Sequence, residues 1–173
     1  NTLKLALEKK SSGYLFISSR EIYGQPNEGQ ELFTEDGILG QVDPLVPRNG
    51  YAEGKKAAEN MCISAKSEYG LNVKIARLAH TYGPGMSIDD GRVQADFLKN
   101  VLNHENIIMK STGASVRTYT YISDAINAMF KILLSSTDTV YNISDESSKV
   151  TIKELAENLV ELSEDDIKVI IDI

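Results

Sequence analysis

Short apolar runs of strand-forming residues alternate with longer segments of helical period along the chain, and few architectures accommodate that alternation. Tyr14–Ile17, Val73–Leu78, Ile107–Met109, Arg117–Ile122, Val140–Ile143 and Ile167–Ile171 read as strands, the first of them buried, preceded by a Ser11-Ser12-Gly13 turn. Leu3–Glu8, Tyr51–Tyr69, Arg92–Leu102 and Ala125–Leu134 read as helices. In the second of these Ala57, Ala58, Met61, Cys62 and Ala65 form a small-residue face, and Gly70 stops the pattern as a C-terminal cap. Ser123 or Asp124 is placed to cap the helix that follows, and Thr151 and Glu154 have capping-box spacing ahead of Leu155, Leu159 and Leu162. Strands alternating with helices of these lengths predict an α/β fold whose sheet is built by parallel connections.

The composition narrows the class of partner. A chain of 173 residues that is 42% hydrophobic is long enough for a real core. Its net charge of −7 argues against a nucleic-acid partner, because such binding neutralises many phosphates with Lys and Arg; any bound phosphate needs a local cationic site. Cys62 is the only cysteine, so no intrachain disulfide forms, and its apolar surroundings predict a buried, inert thiol that suits a reducing cytoplasm. No apolar run approaches the roughly 18 residues of a membrane span, so no membrane partner is expected, and no metal site is expected either. The chain opens at Asn1, without a methionine, on a helix already under way, which reads as a fragment.

Chemistry concentrates early in the chain. Gly24 to Gly50 holds three of the four prolines and five glycines, the composition of a long functional loop. It leads into Tyr51-Ala52-Glu53-Gly54-Lys55, which places a phenol and an ammonium one helical turn apart on one face. A phenol ordinarily keeps its proton to about pH 10, and a cation beside it favours the phenolate that acid/base work at neutral pH requires. Alone, a Tyr-x-x-x-Lys spacing is common in helices. Here Ser18-Ser19-Arg20-Glu21-Ile22-Tyr23-Gly24 follows the first strand, so a hydroxyl stands at a carboxyl strand end, where α/β sheets bind ligands.

With those two motifs the chain resembles the extended short-chain dehydrogenase/reductase family, the NAD-dependent epimerases and dehydratases of nucleotide sugars. The family's motifs occur in order as Ser19 to Gly24, Tyr51 to Lys55, Arg77-Leu78-Ala79-His80-Thr81-Tyr82-Gly83-Pro84, and Arg117 to Asp124. The resemblance implies a Rossmann-like parallel sheet, its later strands only, with part of a smaller substrate-binding region. It implies residues 1–84 in the cofactor-binding domain and 85–173 mainly in the nucleotide-sugar region, with strands returning to the main sheet. The implied roles are a substrate-polarising hydroxyl for Ser19, the acid/base for Tyr51, the nicotinamide ribose contact for Lys55 and a diphosphate clamp for Arg117. Ser18 and His80 would join Tyr51 and Lys55 around NAD, and His80, Arg92 and Arg117 would hold substrate.

Within the family, Glu21 matches a glutamate of 4,6-dehydratases and UDP-glucuronate decarboxylases, where it would be an acid/base. Asp89-Asp90-Gly91-Arg92-Val93 with Asp96-Phe97 is similar to the decarboxylase pattern Asn-Asp-Gly-Arg-Val with Asn-Phe following. Arg20 stands where dehydratases have Asp, and His80 where the family has Asn. No Gly-x-x-Gly-x-x-Gly is present, so the resemblance covers the middle and later part of a family protein. The expected activity is modification of a nucleotide sugar through a 4-keto intermediate, as decarboxylase, epimerase or dehydratase, in a homodimer formed through the Tyr51 helix. The competing expectations are a folded remnant without cofactor binding and an unrelated α/β binding module.

Overall fold

The computed structural model describes residues 2–24, 32–37, 43, 45–164 and 166–173, so parts of the proline- and glycine-rich loop at 25–31, 38–42 and 44 lie outside the described residues. In chain order the elements are α1 (Thr2–Glu8), β1 (Tyr14–Ser19), α2 (Gly50–Tyr69), β2 (Val73–Leu78), β3 (His80–Tyr82), α3 (Val93–Leu102), β4 (Ile107–Met109), β5 (Val116–Arg117), β6 (Tyr119–Tyr121), α4 (Ile122–Ser135), β7 (Val140–Ile143), β8 (Val150–Thr151), α5 (Ile152–Ser163) and β9 (Val169–Ile171). Short 3-10 turns stand at Arg20–Tyr23, Pro47–Asn49 and Glu146–Ser148. The chain divides into two compact units, residues 1–79 with 123–144 and residues 80–122 with 145–173.

The first unit is a parallel sheet in the order β1-β2-β7 with helices on both faces. Alternation along β2 produces the layering, since successive side chains leave opposite faces of a strand. Val73 and Ile75 pack with Ala6 of α1 and Cys62 and Ala65 of α2, while Ala76 and Leu78 pack with Ala125 and Ile132 of α4. Lys74 breaks the apolar pattern yet is buried, and its ammonium donates to the carbonyls of Ser136, Thr137 and Asp138 just beyond α4 at 2.9, 3.2 and 2.7 Å. Gly70 ends α2 as its sequence predicts, left-handed at φ 68° with its N–H on the Lys66 carbonyl.

Strand β1 runs two residues further than Tyr14–Ile17 and is not fully buried. Tyr14, Leu15 and Phe16 are half-buried and Ile17 is 45% exposed, because among the described residues β1 pairs on one side only, with β2.

Among the described residues the second unit contains three strand pairs: β3 with β6 and β4 with β9 are parallel, and β5 with β8 is antiparallel. Phe97 of α3, Ile107 and Met109 of β4 and Ala156 of α5 form its core. The capping box at the start of α5 is complete: Thr151 N–H donates to Glu154 Oε2 at 2.7 Å and Glu154 N–H to Thr151 Oγ1 at 3.0 Å. The Thr151 N–H, joined by the Thr151 hydroxyl donating to the same Oε2 at 2.8 Å, holds the Glu154 carboxyl below the usual carboxylate range.

Three further local expectations change. The Arg117–Ile122 run is two strands with different partners, Val116–Arg117 pairing with β8 and Tyr119–Tyr121 with β3. Helix α4 starts at Ile122, so Ser123 and Asp124 lie inside its first turn instead of capping it. The last strand begins at Val169, with Ile167 buried ahead of it. In the Tyr-Gly-Pro segment, Gly83 takes φ 138°, and a Cβ there would lie 2.6 Å from Ile122 Cγ2, so only glycine fits.

Candidate active site

Parallel pairing brings the carboxyl ends of β1, β2 and β7 to one side, with Ser19 opposite Leu78 and Leu78 opposite Ile143. Ligands of α/β sheets bind at such ends. Ser19 ends β1 in extended conformation (φ −145°, ψ 151°), and its Oγ accepts the Glu21 N–H at 3.2 Å, which turns the chain into the 3-10 turn Arg20–Tyr23. With that acceptor role filled by backbone, the Ser19 O–H proton is available to another oxygen. Ser18 Oγ is buried with no hydrogen-bond partner among the described residues.

Helix α2 delivers Tyr51 and Lys55 to the same strand end. Lys55 is half-buried, and its Nζ donates to the Ile17 carbonyl at 2.8 Å. The ammonium also lies 5.7 Å from the Tyr51 ring centroid and 5.1 Å from that of Phe16, within cation–π range of both. Tyr51 is 58% exposed. Ser18, Ser19, Tyr51 and Lys55 therefore belong to one unit, with the lysine bridging helix and strand. Glu21 in the same turn is half-buried, its Oε1 3.5 Å from Arg20 Nη1.

His80, Arg92 and Arg117 belong to the second unit. His80 on β3 is the register partner of Tyr119, their ring centroids 5.6 Å apart. Tyr119 is buried with its phenol oxygen unpartnered among the described residues, and burial raises its pKa against the opposing pull of Arg117. Arg117 is half-buried on β5 and donates to the Val116 carbonyl at 2.8 Å. Arg92 directly precedes α3, and its Nε donates to Asp90 Oδ2 at 2.7 Å, which lowers the Asp90 pKa. The guanidinium of Arg92 is thus already paired with a carboxylate.

Sequence reasoning missed a buried polar network in the first unit. Arg77, 6% exposed, forms a two-pronged ion pair with Glu59 of α2, Nε to Oε1 at 3.1 Å and Nη2 to Oε2 at 2.8 Å. Its Nη1 donates to the Tyr23 hydroxyl at 2.7 Å, and that hydroxyl donates to Asn142 Oδ1 at 2.8 Å. Burial works against the charged guanidinium, but the Glu59 and Tyr23 contacts outweigh it and raise its pKa above the usual value. The signal was available: Glu59 continues the Tyr51, Lys55 face by one more turn, and a charge inside the apolar run Val73–Leu78 needs a partner.

Among the described residues, no cluster of three or more His, Cys, Asp or Glu is arranged to hold a metal, and no helix is long and apolar enough to cross a membrane. The chain is 31% identical over 169 residues to UDP-glucuronic acid decarboxylase 6 of Arabidopsis thaliana, covering 98% of this chain and 48% of that protein. The crystal structure of UDP-glucose 4-epimerase from Thermotoga maritima with UDP-glucose superposes with a TM-score of 0.84 at 25% identity, over 98% of this chain and 53% of that one. A dTDP-glucose 4,6-dehydratase from Bacillus anthracis, in complex with NAD, shares the fold at a TM-score of 0.83 and 22% identity, over 99% of this chain and 54% of that one. The chain thus spans about half the length of the curated relatives it matches. The profile of one family runs from residue 1 to residue 144, across the Ser19 turn, the Tyr51–Lys55 helix and the strand end where they meet, and the chain belongs to that family, the NAD dependent epimerases and dehydratases.

Proposed function

We propose that the protein modifies a nucleotide sugar through a 4-keto intermediate with NAD as cofactor, and that its outcome is decarboxylase-like. The observation that carries this reading is the Lys55 ammonium, hydrogen-bonded to the carbonyl of Ile17, two residues before Ser19 on β1, and lying 5.7 Å from the Tyr51 ring centroid. Likeness to the Arabidopsis decarboxylase over 98% of the chain supports the subtype.

The residues fit the nicotinamide-ribose end of the cofactor. An ammonium has three donors, and Lys55 uses one on Ile17, leaving two for ribose hydroxyls. The unpartnered Ser18 Oγ is a further contact on this side. When bound, NAD supplies the acceptor for the hydride leaving C4 of the sugar.

Tyr51 Oη takes the C4 hydroxyl proton, with the Lys55 ammonium lying 5.7 Å from its ring centroid and the Ser19 O–H hydrogen-bonding the same sugar oxygen. Exposure of Tyr51 leaves its oxygen open to a ligand. Once C4 is a ketone, it accepts the electron pair of the breaking bond between C5 and the carboxylate. Glu21 serves as the acid/base near C5, and Arg117 and His80 contact the nucleotide and sugar. Arg92 joins them on leaving Asp90.

Incubating the full-length protein with NAD and UDP-glucuronate tests the subtype: carbon dioxide release is expected. Turnover without release, giving a 4-epimer or a dehydrated product, overturns the decarboxylase reading. Exposed Leu5 on α1 and Met61 and Ile63 on α2 support a homodimer through the Tyr51 helix, expected as twice the protomer mass in light scattering at micromolar concentration; a monomer there contradicts it.

A further inference from the structure

Arg77 is the centre of a buried hub that joins the two elements carrying the reactive groups. Glu59, 7% exposed, lies two turns after Tyr51 and one after Lys55 on the same face of α2, and its carboxylate holds the Nε–Nη2 edge of the guanidinium. The remaining nitrogen, Nη1, holds the phenol of Tyr23, 1% exposed and the last residue of the 3-10 turn that starts immediately after Ser19. Tyr23 is fixed from its other sides as well. Its ring stacks on Phe33 at 4.7 Å and 9°, and its hydroxyl donates to Asn142 of β7.

Asn142 extends the hub to the segment before α2. Its Nδ2 donates to the Phe33 carbonyl at 2.9 Å and its N–H to Glu35 Oε1 at 2.7 Å, while Arg77 Nη1 also donates to the Glu35 carbonyl at 3.0 Å. Every polar atom of the guanidinium faces a partner across an element boundary. Such a network has one satisfied arrangement, because any displacement leaves buried groups unpaired.

We propose that Arg77, with Glu59 and Tyr23, is a positioning device that sets the Ser19 turn against the first turns of α2, and so the separation of the Ser19 hydroxyl from the Tyr51 phenol. Lys55 on the Ile17 carbonyl fixes one end of this geometry and the Arg77 fork fixes the other. Misplacement by about 1 Å is enough to lower a rate on the order of a hundredfold, so a tie two turns from the reacting groups governs turnover. The kinetic half of this proposal rests on the activity proposed above; the structural half does not.

The test uses the full-length protein with Tyr23→Phe, which keeps the stacked ring and removes the hydroxyl, and Arg77→Lys, which keeps the charge and removes the fork. Hydrogen–deuterium exchange is followed in peptides covering 19–24, 50–56 and 73–78, alongside kcat and KM. Both variants are expected to raise exchange about tenfold in 19–24 and leave 73–78 unchanged, with kcat down about tenfold and KM within about threefold. Exchange unchanged in 19–24 overturns the proposal, as does a rise spread evenly over all three peptides, which is general destabilisation. Wild-type kcat in variants whose 19–24 exchange has risen also overturns it. If the wild type turns over no nucleotide sugar, the activity reading fails, and the exchange pattern alone decides whether the hub positions the turn.

Discussion

Lys55 is held from two sides, by the Ile17 carbonyl and by the rings of Phe16 and Tyr51, whereas Tyr51 keeps most of its surface free. A lysine so anchored acts through position, so Lys55→Met should weaken NAD binding at least about tenfold by calorimetry without lowering Tm by more than a few degrees. Binding at wild-type affinity would remove Lys55 from the cofactor. The pair was legible in the sequence because one helical turn is a local relation. Glu59 and Arg77 were each marked in the sequence, one by its place on the Tyr51–Lys55 face and the other by its charge inside an apolar strand, but their pairing was not, since 18 residues separate them and only the packing of α2 on β2 brings them together. Cys62 behaves as its apolar neighbours foretold: burial, aided by the Glu59 charge, pushes its thiol from an ordinary value near 9 up to about 11. A pKa raised on folding means the folded state holds the proton more tightly, so this stability is present below pH 9 and is lost as pH rises through about 11. Chemical denaturation of the wild type and Cys62→Ala should therefore show the wild type losing stability relative to the variant across that window. Parallel pH profiles would contradict the assignment.

Element by element, the readings that survived rest on local chemistry and those that changed rest on pairing. The α5 capping box needs only residues three apart, and it forms as spaced. Thr151→Ala should cost about 1 kcal/mol, read as a lower denaturation midpoint with unchanged slope. No loss at that site would mean that the α5 end is held by packing alone. By contrast, Arg117 to Ile122 alternates uniformly in sequence, and what divides it at Thr118 is the choice of partner, β8 on one side and β3 on the other. His80–Tyr82, ahead of Gly83 and Pro84, lacks a strand-like apolar run, and its strand character comes from in-register pairing with Tyr119–Tyr121. Helix α4 starts early because Ile122 continues directly from β6, ahead of the polar residues that looked like caps.

At the scale of the molecule, the alternation of strands and helices was enough to give an α/β fold, and the structural neighbours confirm it with TM-scores of 0.84 and 0.83. The interleaving of the units was not legible from composition. Residues 80–122 leave the first unit and 123–144 return to it, without a shift in composition at either crossing. The proposed acid/base role of Tyr51 is tested by kcat of full-length Tyr51→Phe with NAD and nucleotide sugar, beside its thermal denaturation. Because the Tyr51 side chain is largely exposed, the account predicts a kcat lower by about a hundredfold or more with Tm unchanged. A variant that keeps wild-type kcat would contradict it.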